Sequence, residues 1–309
     1  EFNDDVLRIM LNNVRMPEQN WGDLKAQIAA MNTGERKVHE MIGKFGIEIF
    51  RQGTAELLEL AEQQARNIIR EIPDGSYFFA DYMDEDSVDG VPCRIALDMI
   101  VDGDQLIFDF TGSDPQVQSS LNIPTGGHER HTLLMVAYVY VLYTLDKTIL
   151  MNSGLTRAVR CILPEGTIVN PTFPAAVGMR SLSGLRLQDV IFGCFSLALP
   201  EKMAAGPASG GTIINIRTTD NKTGRRLMAA VEPISGGGGG MPFADGAEGS
   251  GANTAFLKNT PVEINEAELP IQITDYGLAP DSGGAGRYRG GLATELGDRI
   301  AELDVNPVL

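Results

Sequence analysis

Positive charge is scarce in this sequence. Its 309 residues include 25 lysines and arginines against 41 aspartates and glutamates, which gives a formal net charge of −16 at pH 7. Such an excess of acid repels phosphate backbones and anionic lipid headgroups. The charge balance therefore predicts a protein that binds neither nucleic acid nor a membrane surface.

Cysteine is also rare. The three thiols, Cys93, Cys161 and Cys194, are far apart and form no CxxC pair. An odd number at wide spacing is typical of reduced thiols, so we expect a cytoplasmic protein. Cys161 and Cys194 lie in apolar runs, where a thiol packs and does not react.

Long apolar runs are missing. The longest, around residues 133–145, is too short to span a bilayer and includes three tyrosines. We interpret it as a buried helix. With 43% hydrophobic residues, the chain is able to bury the core of one large domain or two ordinary ones.

Histidine is limited to three residues, which restricts the available chemistry. His128, Glu129 and His131 are the only cluster that suggests a metal, but the HExxH pattern is not met. A polar start of a helix explains this cluster better, so we assign no metal ligand. A G-x-S-x-G nucleophile elbow is also absent.

The period of the apolar residues changes along the chain and predicts a mixed α/β (α+β) fold. Residues 1–72 follow helical spacing, with Thr54 as the N-cap of a later helix. Residues 73–293 form a body of mixed sheets with glycine-rich loops, including a hairpin at Gly103. Residues 294–309 are left as an unassigned tail.

Within this body we expect further elements at defined places. They are helices at 130–145 and 185–199, and strands at 156–163, 212–217, 226–232 and 260–275. Gly193 and Cys194 mark a point where another element packs closely on a helix. Residue 1 is not a methionine and the chain starts inside a helical pattern, so we expect a piece of a longer protein.

The most unusual stretch is a glycine run within residues 230–256. Ordering glycine costs more backbone entropy than ordering any other residue, so such a run needs a cause: close approach to a ligand, or a flexible linker. Strand-like flanks favour close approach. No lysine or arginine lies between Arg226 and Lys258, which rules out a Walker phosphate loop here. The predicted substrate-binding glycines are Gly236, Gly237, Gly238, Gly239 and Gly240.

Asp109 is the candidate catalytic residue. It lies between Phe108 and Phe110, where burial would raise the pKa of an unpaired carboxylate. It could act as a general base, as a metal ligand or as a polar anchor of the next loop. A purely structural alternative is a cap on the backbone of Gly112 or Ser113. Asn122, in the polar loop that follows, is a candidate substrate contact.

Several motifs, each weak alone, together resemble the hydantoinase B/oxoprolinase family in their order along the chain. They cover residues 4–293 and are NVR at 13–15, GDLKAQIAA at 22–30, DFTGS at 109–113, NIP at 122–124, GTIVNP at 166–171, the glycine run, and DSGGAGRYRGG at 281–291.

The resemblance implies an enzyme subunit that works with a hydantoinase A-type partner in a hetero-oligomer. In that family the A component binds ATP and phosphorylates the substrate, and the B component completes the reaction. Members open cyclic amides such as hydantoins or 5-oxoproline, or carboxylate ketones such as acetone. The family also implies a divalent metal (Zn, Mn or Fe), whose ligands precede residue 1 of this sequence.

Three interpretations stay open. The first is an ATP-dependent cyclic-amide hydrolase subunit, the second an alpha-type subunit of a ketone carboxylase, and the third a non-catalytic fragment that docks through the helices of residues 4–71. The family motifs end near Thr294, and residues 299–309 resemble the end of an ATP-grasp domain of acyl-CoA synthetases. We assign no ATP binding to that tail.

Overall fold

The computed structural model describes residues 3–14, 16–84, 88, 90–220, 224, 226–250, 260–269, 271–300 and 305–307. It divides into two compact units, Glu1–Leu60 and Ala61–Leu309. The helices are α1 (Asp4–Asn12), α2 (Pro17–Phe45), α3 (Ile47–Ile69), α4 (Thr132–Leu145), α5 (Arg180–Ala198) and α6 (Val262–Glu268). A short 3₁₀ helix covers Ser153–Ala158. The domain boundaries expected at 72 and 293 stay predictions.

The strands form three sheets. Their bounds are β1 (Gly75–Met83), β2 (Cys93–Asp102), β3 (Gln105–Asp109), β4 (Val159–Ile162), β5 (Gly211–Asp220), β6 (Arg226–Ser235), β7 (Ile271–Leu278), β8 (Thr294–Ile300) and β9 (Val305–Pro307). The sheet orders are β1-β2-β3-β4, β6-β5-β9 and β7-β8, and among the described strands only the pairing of β3 with β4 is parallel. The mixed α/β fold class is confirmed.

The first unit is helical. Asn3 caps α1, accepting the N–H groups of Asp5 and Val6, and Pro17 occupies the first position of α2, where its missing N–H costs nothing. Neither helix buries a residue. In α3, Gly53 and Thr54 lie inside the helix, so the predicted N-cap is wrong. The Thr54 hydroxyl instead donates to the Phe50 carbonyl at 2.8 Å, a bond that lets threonine continue a helix.

The core of the second unit lies between the four-stranded sheet and the helices. Alternate β2 side chains point to it, with Ile95, Leu97 and Met99 fully buried, as the period-2 pattern requires. Phe108 of β3 packs edge-to-face on Tyr138 of α4 and Phe195 of α5. The end of α3 adds Ala61, Ala65, Ile68 and Ile69 to this core. A smaller cluster centres on Leu269 and Ile271.

Two strand predictions need correction. The 156–163 segment begins as the 3₁₀ helix and becomes a strand only at Val159. In the 260–275 segment, Pro261 sets the start of the two-turn helix α6, and the strand β7 occupies only the last part, from Ile271. A short apolar run fits both the helical and the strand period, and its contacts in the folded protein decide which element forms.

All three cysteines are buried. Burial raises the pKa of the Cys161 thiol and that of the Cys194 thiol, each to about 12. A thiol in this state does not react at neutral pH. The prediction of inert packing at these two positions is confirmed.

The predicted close contact at Gly193 is confirmed. A Cβ built at this position of α5 would lie 2.4 Å from Cγ of Phe79 on β1. Gly184, in the same helix, has its nearest such neighbour at 3.7 Å, the Cδ2 atom of Leu133. Helix α5 therefore needs glycine at Gly193 to reach the sheet.

We expect Gly193→Ala to lower the free energy of unfolding by about 1–3 kcal/mol, because the ring of Phe79 must shift. Gly184→Ala is the matched control and should be neutral or stabilising by up to about 1 kcal/mol through helix propensity. Urea unfolding monitored by circular dichroism measures both variants. Equal shifts for the two would contradict this packing.

Candidate functional site

The glycine run lies at the centre of a set of backbone segments that we call the glycine layer: residues 205–208, 236–240, 244–249 and 288–292. Backbone hydrogen bonds join the segments directly. These bonds are Ala205 N–H to Gly240 O (2.8 Å), Ala208 N–H to Gly237 O (3.0 Å), Gly238 N–H to Ala247 O (2.8 Å), Gly291 N–H to Gly238 O (2.9 Å), Gly246 N–H to Arg289 O (2.8 Å) and Gly249 N–H to Leu292 O (2.8 Å).

The segments of the layer approach one another too closely for side chains. A Cβ built at Gly237 would lie 1.7 Å from the Gly291 oxygen, and one at Gly239 would lie 1.8 Å from the Ala205 oxygen. Distances below 3.0 Å to a backbone atom force the chain to move. The run is therefore a close-approach segment and not a flexible linker. In the described residues, what approaches it is mainly backbone, together with the Ala208 Cβ beside Gly236.

A polar frame supports the 288–292 side of the layer. The Arg289 guanidinium donates to Oε1 of Glu248 at 2.6 Å, and the Arg289 N–H donates to Oδ1 of Asp245 at 2.9 Å. The second Glu248 oxygen accepts the N–H of Leu292. The Arg289 guanidinium, and to a smaller extent the Leu292 N–H, hold the pKa of the Glu248 carboxyl below its usual range. One carboxylate thus joins two segments of the layer.

Asp109 lies on the face of the four-stranded sheet that points away from the core. Phe108 and Phe110 are fully buried on either side of it, while Asp109 pairs in register with Asp98 of β2. The Asp109 carboxylate accepts the Thr111 N–H at 2.9 Å and also the Thr111 hydroxyl. The expected cap is therefore present, but on Thr111 and not on Gly112 or Ser113.

Asn122 is fully buried. Its oxygen accepts the N–H of Val117 at 2.9 Å, and its amide nitrogen donates to the carbonyls of Val117, Ser119 and Ala176. A contact of Asn122 with substrate would have to replace one of these bonds. In the described part of the chain, the hydrogen bonds of Asp109 and Asn122 do not reach the glycine layer.

The His128 segment is a helix start, as the sequence indicates. His131 is the N-cap of α4, where its Nδ1 accepts the N–H of Leu133 at 3.3 Å. Burial and the neighbouring His128 lower the pKa of His131. Residues 128–132 line a surface cavity of about 560 Å³. Across the residues that the structure describes, no group of three or more His, Cys, Asp or Glu side chains could hold a metal.

One charged cluster was not predicted. Arg186 of α5 donates to Oδ2 of Asp81 on β1 at 2.6 Å and to the carbonyl of Ser209 at 3.3 Å, with Asp189 one helical turn further along. The available signal was a pair of opposite charges, Arg186 and Asp189, three residues apart on α5. The partner of Arg186 on β1 is 105 residues away in sequence, and only the fold brings the two together.

The Asp189 side chain is only 10% exposed. Burial raises its pKa to about 6, and the Asp81 charge adds to the rise, while the Ser209 hydroxyl and Arg186 oppose it. Its Oδ2 atom has no hydrogen-bond partner among the described residues. A buried carboxylate in this state favours the protonated form near neutral pH more than ordinary aspartates do.

A hydantoinase B/oxoprolinase family profile matches residues 1–305. The chain therefore belongs to the hydantoinase B/oxoprolinase family. This match runs past residue 293, where the individual motifs end, and includes most of the tail.

Among curated relatives, the caprolactamase subunit beta of Pseudomonas jessenii is 32% identical over 303 residues, which are 95% of this chain and 50% of that protein. The 5-oxoprolinase of Dictyostelium discoideum is 29% identical over 94% of this chain and 22% of its own length. The chain thus spans half or less of the length of these relatives.

Solved structures agree with the fold. The crystal structure of ATP-dependent caprolactamase from Pseudomonas jessenii matches with a TM-score of 0.81 at 29% identity, over 97% of this chain and 52% of that one. The nucleotide-free structure of acetone carboxylase matches with a TM-score of 0.84 over 99% of this chain and 42% of that one. At 19% identity, this second likeness concerns the fold alone.

Among the described helices, none combines the length and the apolar character that crossing a membrane requires.

We predict that Asp189→Asn changes the pH dependence of stability. The folded state keeps the Asp189 proton up to a pKa of about 6, whereas the ordinary value is 3.8. Raising the pH through this window therefore lowers the free energy of unfolding of the wild type, and this penalty is complete above about pH 7. The variant lacks this penalty, so its stability relative to wild type should rise by on the order of 2 kcal/mol between about pH 4 and pH 7.

Urea unfolding of both proteins at several pH values across this window provides the measurement. The difference between the two curves isolates Asp189 from the other carboxylates that titrate there. Parallel curves would show that Asp189 titrates normally in the folded protein.

Proposed function

We propose that this chain is part of the B-type component of an ATP-dependent cyclic-amide hydrolase, acting with a hydantoinase A-type partner in a hetero-oligomer. The observation that carries the proposal is the likeness to ATP-dependent caprolactamase, which extends over 97% of this chain at 29% identity. A caprolactam is a cyclic amide, as are hydantoin and 5-oxoproline, so ring opening of this class is the reaction that we assign.

The need for ATP follows from the chemistry of an amide. Transfer of the γ-phosphoryl group to the amide oxygen gives ADP and turns that oxygen into a leaving group. Water then adds to the same carbon and the C–N bond of the ring breaks, with a proton going to the nitrogen. The acyl phosphate that remains is hydrolysed by a second water, which releases phosphate. For a lactam the balance is one cyclic amide, one ATP and two waters consumed, and one amino acid, one ADP and one phosphate formed. A site closed to bulk water protects the phosphorylated intermediate.

The glycine layer is our candidate for the substrate-binding wall. Within the described part of the chain, the N–H groups of Gly237, Gly239 and Gly240 have no protein acceptor. Backbone N–H groups held rigidly by a packed scaffold suit an oxygen that becomes negatively charged during reaction. The layer already fixes its donors through backbone hydrogen bonds between its segments, so little reorganisation is needed when substrate binds.

Asp109 is proposed as the general base that accepts a proton from the attacking water. Asp109 is partly exposed on the outer sheet face, and its carboxylate is bonded to Thr111 among the described residues, which leaves it accessible. Asn122 is proposed as a second substrate contact through exchange of one of its backbone bonds. Both assignments depend on a substrate that reaches the outer face of the sheet and its following loop.

A metal does not fit the residues that the structure describes. No set of three ligands is present among them, and the Nδ1 atom of His131 is used by the cap of α4. The family resemblance implies zinc, manganese or iron with ligands outside this sequence, and ATP on the partner subunit. We derive no step of the reaction through the metal.

The experiment is ATP hydrolysis by the full-length protein together with its A-type partner. Hydantoin, 5-oxoproline, caprolactam, and acetone with bicarbonate are supplied separately. We expect ADP release coupled to opening of one of the cyclic amides. Turnover only with acetone and bicarbonate would replace this proposal by ketone carboxylation, and no turnover with any substrate would favour a non-catalytic docking role.

We expect Gly238→Val to reduce this turnover strongly, on the order of tenfold or more, without unfolding the protein. A Cβ at Gly238 would lie 3.2 Å from the Ala247 nitrogen, which is tight but above the distance at which the backbone must move. Gly277→Val is the control, because the Gly277 site in β7 is open to a Cβ and valine favours strands. Unchanged turnover in Gly238→Val would remove the layer from the substrate site.

A further inference from the structure

The unpredicted charged cluster joins three elements of the second unit. Arg186 of α5 contacts Asp81 of β1 at 2.6 Å and the carbonyl of Ser209 at 3.3 Å. Asp189, on the same helix, lies 3.9 Å from the Arg186 guanidinium. The cluster is therefore a junction between the sheet, the core helix and the segment that follows that helix.

The Ser209 segment leads directly into the glycine layer. Ala208, the preceding residue, donates its N–H to Gly237 at 3.0 Å, and a Cβ at Gly236 would lie 2.2 Å from the Ala208 Cβ. Ala205 donates to Gly240 at 2.8 Å. A bond to the Ser209 carbonyl thus acts one residue away from the contacts that locate the start of the run and four residues away from the bond that locates its end.

The cluster contributes little net stability, because its charges lose their hydration when they are buried. The side chains of Arg186 and Asp189 are 23% and 10% exposed, and removing two charges from water costs about as much as their attraction returns. One Asp189 oxygen has no hydrogen-bond partner among the described residues. Apolar side chains would fill this place at lower cost, so the arrangement favours a role in geometry.

We propose that Arg186 is a positioning residue, which holds residues 205–210 against the glycine run and so fixes the backbone donors of residues 236–240. The inference rests on the proposed function, in which these donors bind the substrate. The charged groups that face Arg186 are Asp81 and Asp189, and the Ser209 carbonyl is its third partner.

The test compares two arginines that have similar surroundings. Arg66 is 21% exposed and pairs with Glu62 at 2.8 Å and Asp104 at 3.0 Å, but its bonds do not involve residues 205–210. Arg186→Met and Arg66→Met therefore remove comparable ion pairs. Arg186→Lys keeps the charge beside Asp81 and lacks the fork that also reaches Ser209.

The first readout is hydrogen exchange at the amides of Ala205 and Ala208 in the full-length protein. We expect Arg186→Met to speed this exchange at least tenfold, Arg186→Lys to speed it less, and Arg66→Met to leave it unchanged. The second readout is steady-state turnover of the cyclic amide with the partner present, where Arg186→Met should raise KM more than Arg66→Met does.

Exchange that does not change in Arg186→Met would overturn the inference, whatever the activity. Faster exchange with KM and kcat both at wild-type values would show that Arg186 holds the segment but that the segment does not serve substrate binding. If the wild-type protein turns over no cyclic amide, the proposed function fails on its own, and the exchange data still decide whether Arg186 positions residues 205–210.

Discussion

The contact between backbone and backbone in the glycine layer is the constraint on which the rest of the second unit depends. At several glycines of the layer the next segment passes so near that a Cβ would overlap a carbonyl oxygen, as at Gly237 and Gly291. Ordering five successive glycines is costly in entropy, and this cost is offset by the backbone hydrogen bonds between the segments and by close packing. The layer therefore holds its backbone N–H donors in a fixed arrangement. A surface made of side chains would not place N–H donors this close together.

Two kinds of interior therefore coexist in this unit. The four-stranded sheet and the helices α3, α4 and α5 share an ordinary apolar core, while the glycine layer contributes almost no side chains to its own interior. Hydrogen bonds hold the segments of the layer together, as apolar contacts hold the core together. They are made by the side chains of Glu248, Arg289 and Arg186. This is why a buried charge such as Asp189 is tolerated at the junction, at the cost of a raised pKa.

Local patterns in the sequence predicted most of the fold. The alternation in β2 follows from two-residue spacing, the long helices from three- and four-residue spacing, and the hairpin at Gly103 from its turn residues, so they need no knowledge of distant segments. The error at 260–275 lies where a short segment satisfies two periods and its surroundings decide. At Thr54 the hydroxyl bonds to the carbonyl of Phe50 inside the helix and does not cap a new one. For the site, the need for close approach at the glycine run was readable from composition. The identity of the segments that pack against the run depends on contacts between residues far apart in sequence, and so does the ion pair of Asp81 with Arg186.

The most direct test of the central claim is hydrogen exchange at the amides of Gly238, Gly246, Gly249 and Gly291 in the full-length wild-type protein. Each of these N–H groups donates to a carbonyl in another segment of the layer. The account predicts exchange at least about a thousandfold slower than in an unstructured peptide, because opening requires several segments to separate. Exchange at the rate of an unstructured peptide would mean that the glycine run is a flexible linker, and would contradict the account.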